Sequence, residues 1–234
     1  MPAEIRIPSK LAAHEHACHF FNSEKSFFDA VVPYVLYGLA RNEKCMLTLD
    51  NFASDHFRDA LASRGCDVGQ HEKSEQLEIL STRKTYFGFG MFSGAAMLAY
   101  YRAYIPAVLA NRFRGIRVAV EIADSLLDAN SSREFSNYEM RANELFRSNR
   151  VSAICAYDAE KFPEAFLAQI AESHPFRMAQ ECPYLSLNLQ PCFHSGYRSD
   201  THEQADQYCF DNTEQFRRCP VFQEFEAQKA SPGE

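Results

Sequence analysis

Four cysteines near the end of the chain have a mirror-like spacing. Cys182, Cys192, Cys209 and Cys219 are separated by nine, sixteen and nine residues. Four thiolates are a complete ligand set for one tetrahedral zinc or one iron–sulfur cluster. Zinc sites usually take cysteines in close C-x2-4-C pairs, because one tight turn then delivers two thiolates to one ion. No pair with that spacing occurs here. Widely spaced single cysteines suit the larger body of an iron–sulfur cluster, and the steps Cys182-Pro183 and Cys219-Pro220 resemble those beside ferredoxin-type ligands. The expected cofactor is therefore an iron–sulfur cluster, with zinc as the alternative; His194 or His202 can then replace a thiol. Disulfides and inert thiols are the plainer readings of the same residues.

Two further groups have the residue types for binding. His14, His16 and Cys18 alternate, and alternate strand residues share a face, so three N/S ligands for a metal can point one way. A strand-start histidine is more often simply hydrogen-bonded. The second group is Glu121, Glu139, Tyr157 and His174, with His16. In an open α/β sheet, ligands sit beyond the carboxyl ends of the strands. Glu121 and Tyr157 fall near two such ends, so the expectation is a small-molecule pocket lined by His16, Glu121, Glu139, Tyr157 and His174. The plain reading pairs Glu121 and Glu139 with Arg117 or Arg141 and leaves Tyr157 in the core. The turn Phe21-Asn22-Ser23-Glu24-Lys25-Ser26 echoes only the last two residues of a phosphate-binding loop and lacks its glycines, so no nucleotide is expected. No G-x-S-x-G elbow or other nucleophile-plus-base set occurs.

These residues need elements to position them. Short apolar runs at Ala17–Phe21, Lys44–Leu49, Leu77–Leu80, Ile116–Ile122 and Val151–Tyr157 read as strands. Between and after them, helices are expected near Ser23–Arg41, Ser54–Arg64, Gly94–Arg114, Ser132–Ser148 and Pro163–Ser173. Strands alternating with helices of this length imply βαβ units, and near-continuous apolar strands imply a parallel sheet with helices on both faces. The aromatic, glycine-bearing stretch from Tyr86 to Tyr104 reads as a loop feeding a core helix, or as a lid over an apolar ligand. After Pro175 the periodicity ends. Residues 182–222 are polar and irregular and would need a staple to offset their ordering entropy.

The 234 residues accommodate one α/β domain and a small second module. The net charge of −7 argues against direct nucleic-acid binding. No run of eighteen apolar residues occurs, and the N-terminus is too polar for a signal peptide, so a cytoplasmic protein without membrane contact is expected. There the eight cysteines would stay reduced and favour metal or redox chemistry.

The α/β part resembles the MEDS domain, the methanogen/methylotroph sensory domain named after a dichloromethane-responsive repressor. The resemblance rests on His16-Ala17-Cys18-His19-Phe20-Phe21, Pro33-Tyr34-Val35-Leu36-Tyr37-Gly38-Leu39, Asn42-Glu43-Lys44-Cys45 and Tyr86-Phe87-Gly88-Phe89-Gly90-Met91-Phe92. It continues through Val120-Glu121, Tyr138-Glu139, Cys155-Ala156-Tyr157-Asp158 and His174-Pro175, in that order. It implies a RecA-like α/β fold used for sensing a small ligand rather than for catalysis. The organisation read here is a sensory domain over 14–178, a four-cysteine metal module over 179–226 and a tail over 227–234. The expected function is a cytoplasmic sensory or regulatory protein that binds a small ligand, senses redox through the four-cysteine site, or both, and signals to a protein partner. Homo-oligomerisation is compatible with this. The rival is an enzyme acting on a small one-carbon or thiol compound in the pocket above the sheet.

Overall fold

The apolar runs form strands and the amphipathic stretches between them pack as helices, in a computed structural model that describes residues 4–6, 10–52, 54–86, 91–110, 112–124, 129–178, 180–181 and 210–211. In chain order the elements are β1 (Glu4–Arg6), β2 (His16–Phe21), α1 (Glu24–Ala40), β3 (Lys44–Leu49), α2 (Ser54–Ala62), α3 (Val68–Lys73), β4 (Leu77–Ser81) and α4 (Thr82–Tyr86). Next come α5 (Gly94–Leu109), β5 (Ile116–Glu121), α6 (Ala129–Arg147), β6 (Val151–Asp158), α7 (Glu164–Ser173), β7 (Phe176–Met178), β8 (Gln180–Glu181) and β9 (Phe210–Asp211).

Seven strands make one sheet in the order β1-β7-β2-β6-β5-β3-β4. Every pairing in it is parallel. The architecture is α/β, a parallel sheet with helices on both faces. All six residues of β3 and all six of β5 are buried, which is why these strands read as continuous rather than alternating apolar runs.

The period of two along each strand sorts the interior into two cores. One face presents Cys18, Met46, Val118, Val120, Ala153, Cys155 and Tyr157 to residues of α5, α6 and α7. The other presents Ala17, Phe21, Cys45, Leu47, Ala119, Ile154 and Ala156 to α1 and α2. Burial of each large apolar side chain in these layers stabilises the fold by about 1.5–3 kcal/mol.

Local sequence also sets helix starts. Ser23 caps α1: its hydroxyl accepts from the Ser26 amide at 3.2 Å, and Ser26 Oγ accepts from the Ser23 amide at 3.2 Å. Here serine performs the reciprocal role usually given to Glu or Gln. Helix α6 starts at Ala129, ahead of Ser132, where the sequence pattern sets its start.

Chain contacts divide the protein into two units, Met1–Met178 and Ala179–Glu234. In the second unit, β8 and β9 pair antiparallel. Cys182, Cys192, Cys209 and Cys219 lie outside the described residues. Among the described residues, no helix is long and apolar enough to cross a membrane.

Candidate functional site

The α6 face of the sheet holds a fully buried polar group. The strand register places Cys18 opposite Cys155 and His16 opposite Ala153, so His16 projects to the same face as Cys155 and Tyr157. Helix α6 crosses this face. Glu139 and Asn143 lie one turn apart on it and so share a side. The chain returns through α7, and His174 follows the last turn of that helix in an extended conformation. Four elements thus deliver His16, Glu139, Cys155 and His174, all buried, with one ligand atom from each within 4.8 Å of the others.

The contacts are short and specific. His16 Nε2 stands 3.2 Å from Cys155 Sγ and 3.4 Å from Glu139 Oε2. His174 Nε2 stands 3.3 Å from the same Oε2. The Cys155 thiol lies 3.8 Å from Oε2. The Tyr157 hydroxyl donates to Glu139 Oε1 at 3.4 Å. The imidazoles of His16 and His174 lie against each other with centroids 4.4 Å apart, and Phe146 meets His16 edge-on at 5.2 Å.

The outer nitrogens define the tautomers. His174 Nδ1 lies 2.9 Å from the carbonyl of Ile170, which only accepts, so Nδ1 bears the proton. Asn143 Nδ2 donates to the Ser173 carbonyl at 2.7 Å, which fixes the orientation of its amide. Its Oδ1 therefore accepts from His16 Nδ1 at 2.8 Å. With this tautomer a singly protonated ring turns a bare Nε2 lone pair inward, and a second proton on His174 makes its Nε2 a donor to Glu139.

Electrostatics follow from burial. Desolvation, and then the nearby His174, push His16 down to about 4, so it is neutral at physiological pH. Burial pushes the Cys155 thiol well up, and the Glu139 carboxylate beside it adds to the rise, so without a cation this sulfur keeps its proton. Burial also pushes Glu139 up, but the hydrogen bond and charge of His174, with His16 and the thiol, outweigh it and hold the carboxyl below its ordinary value.

Glu121 is not part of this group. It pairs with Ala156, one residue beyond Cys155, and the alternation therefore turns it to the α1 face. Its carboxylate accepts from the backbone amides of Asp50 at 2.8 Å, Asn51 at 3.0 Å and Phe52 at 3.4 Å, and from Asn51 Nδ2 at 2.9 Å. It fastens the turn after β3. Arg117, one of the partners the plain reading offered Glu121, bonds Glu43 instead. Of the five residues expected to line a pocket, His16, Glu139, Tyr157 and His174 come together in the layer between the sheet and α6, and Glu121 lies on the other face.

The set His14, His16 and Cys18 does not assemble either. His14 precedes the strand at φ 75°, and its Nδ1 bonds the Arg147 carbonyl at 3.0 Å. Cys18 is buried, and desolvation raises its thiol to about 12. In the turn before α1, the amides of Asn22, Ser23 and Ser26 are already bonded to serine hydroxyls. Residues 87–90 of the glycine-bearing stretch lie outside the described residues; Tyr86 and Phe92 beside them are core residues.

Sequence reasoning missed Cys155 and Asn143 as site residues. Cys155 looks like any core cysteine in a strand, and only its two-residue offset from Tyr157 marks it. Asn143 is signalled only by its one-turn spacing from Glu139.

A family model described as MEDS, the methanogen/methylotroph, DcmR sensory domain, matches residues 15–175. The chain belongs to the MEDS family. The match begins one residue before His16 and ends one residue after His174, so the MEDS segment encloses the whole buried group. As a MEDS protein the chain has a sensory or regulatory role. A comparison with curated protein sequences gives no significant match. Among solved structures, a KaiC-like protein from the hyperthermophilic archaeon Pyrococcus horikoshii OT3 is similar at 14% identity and a TM-score of 0.48. That similarity covers 73% of this chain and 77% of the other.

Proposed function

We propose that this MEDS protein is a sensor whose signal enters as a small ligand at the buried group His16, Glu139, Cys155, Tyr157 and His174, and leaves through a protein partner. The observation behind this is the closed set of inward-facing acceptor atoms under α6, in a sensory-family domain. Helix α6 packs on β2 and β6 and against α5 and α7, so an occupant that binds better to one placement of α6 would shift it relative to those neighbours. Catalysis by the thiol is disfavoured, because Cys155 is buried and its thiol is held protonated.

The test is a thermal-shift panel of small one-carbon compounds and thiols on the full chain, with Tyr157→Phe and His174→Gln alongside. A compound that raises the melting temperature of the wild type but not of the variants, and is recovered unchanged, supports sensing. A compound consumed over many turnovers favours the enzyme reading. No response to any compound, with the fold intact, removes the small-ligand reading.

The four-cysteine segment is a separate proposal. An iron–sulfur cluster held by Cys182, Cys192, Cys209 and Cys219, or zinc in its place, would add a redox-sensitive element. The visible spectrum and metal content of protein purified without oxygen test it. A colourless, metal-free, folded protein would reject both versions.

A further inference from the structure

The buried group brings two imidazole nitrogens, a thiol and a carboxylate oxygen to one point. His174 Nε2 is buried and forms no well-aligned hydrogen bond among the described residues, although Glu139 Oε2 is 3.3 Å away. With Nδ1 committed to the Ile170 carbonyl, His174 meets the carboxylate oxygen through Nε2 alone, as a donor when the ring holds a second proton and as a lone pair when it does not. His16 Nε2 turns a lone pair toward the same oxygen at 3.4 Å. A buried acceptor without a donor is costly. Unless His174 holds a second proton, three acceptor atoms, His16 Nε2, His174 Nε2 and Glu139 Oε2, meet a single thiol proton.

We infer that these four atoms, His16 Nε2, His174 Nε2, Cys155 Sγ and Glu139 Oε2, form a binding site for a divalent transition metal, zinc by its donor set. The inference deepens the sensory reading and rests on the same buried group. Three observations converge on it. Ligand atoms of a tetrahedral zinc, with bonds of about 2.0–2.3 Å, stand about 3.3–3.7 Å from one another; four of the six separations here run 3.2, 3.3, 3.4 and 3.8 Å, and all six lie within 4.8 Å. Both imidazoles donate their outer N–H to a carbonyl oxygen, of Asn143 and Ile170, which is the usual support of a metal-bound histidine. The charges also cancel: a dication with one thiolate and one carboxylate leaves the buried complex neutral. Binding breaks the S–H bond of Cys155, the sulfur keeps the electron pair for the metal, and one proton goes to solvent.

Two imidazoles, one thiolate and one carboxylate suit zinc, and equally admit cobalt as a spectroscopic probe. Tyr157, bonded to the other carboxylate oxygen, is a positioning residue for Glu139. Occupancy would tie the sheet, through His16 and Cys155, to α6 and to the end of α7.

The experiment uses the full chain with Cys182, Cys192, Cys209 and Cys219 all changed to serine, so that only the α/β site can supply a thiolate. Zinc and cobalt(II) are titrated into this protein. The expected result is about one metal per chain, with tetrahedral cobalt absorption and a thiolate charge-transfer band. Adding Cys155→Ser should abolish that band. Asn143→Ala, which frees the His16 ring, should weaken cobalt affinity about 10–100-fold while leaving the band in place at saturation. Circular dichroism and melting confirm that each variant folds. A folded quadruple variant that takes up no metal overturns the site and leaves the four groups sharing protons only. A charge-transfer band that survives Cys155→Ser overturns it too. Metal failure and sensory failure are separable, because a compound from the thermal-shift panel can bind metal-free protein.

Discussion

Glu121 and Glu139 are both fully buried carboxylates, and they are held by different means. Glu139 faces two imidazoles and a thiol. Glu121 is satisfied by three backbone amides and one side-chain amide of a single turn. Glu121 is therefore a structural clamp. Its loss leaves several buried donors without an acceptor, each hydrogen bond to a charged group being worth about 1.5–3 kcal/mol. Glu121→Ala should lower unfolding free energy by about 3 kcal/mol or more by that measure. Glu121→Gln, which keeps one acceptor oxygen, should lose less. Urea denaturation checks the order; equal losses would remove the clamp argument. Neither variant should change metal uptake at the α6 face, because the carboxylate serves the turn on the other side of the sheet.

At the scale of elements, α1 lies so close to β5 that one position tolerates no side chain beyond hydrogen. A Cβ on Gly38 would stand 2.5 Å from Arg117 Cδ and 2.8 Å from Cys45 Sγ. Arg117 cannot yield: its guanidinium lies over the rings of Tyr34 at 4.6 Å and Tyr37 at 4.9 Å, pairs with Glu43, and donates to the Leu11 carbonyl at 3.1 Å. Alanine gains about 1 kcal/mol of helix propensity over glycine, but overpacking costs about 1–3 kcal/mol. Gly38→Ala should therefore destabilise by roughly 1 kcal/mol, against the sign expected in an exposed helix. A chemical-denaturation midpoint that rises would show that Arg117 moves. Most of these elements were legible from pattern: β3 is bounded as its apolar run is, and β2, β4, β5 and β6 differ by a residue at one end. The short elements were not legible. β1 and β7 have three residues each and exist by pairing with each other and with β2, a long-range bond no local window contains. The site was half legible for the same reason. His16, Glu139, Tyr157 and His174 carry marked residue types, but whether Glu121 joins them depends on strand phase, which register decides. Cys155 and Asn143 acquire meaning only once β2, β6, α6 and α7 meet.

For the whole molecule, buried neutral histidine links stability to pH. His19 is on the α1 face, apart from the proposed metal ligands. Its Nε2 donates to the Ser26 carbonyl at 3.3 Å, and its ring stacks on Phe21 at 6.3 Å. Burial first, with the charge of Arg177 adding, lowers it to about 4 despite the hydrogen bond to Ser26. The unfolded chain binds this proton near pH 6.5 and the folded chain does not until about pH 4, so the unfolded state holds more protons in that window. Stability therefore rises with pH there. The contribution is fully present above about pH 6.5 and is lost as pH falls toward 4, a span worth about 3 kcal/mol. His19→Gln keeps a donor for the Ser26 carbonyl but cannot bind the proton. Urea midpoints measured from neutral pH down to about pH 4.5 should fall for the wild type and fall less steeply for this variant. The difference should amount to one proton in the slope and vanish above about pH 7. Identical slopes would mean that His19 titrates normally in the folded protein, and hence that the α1 face opens to water on the timescale of protonation.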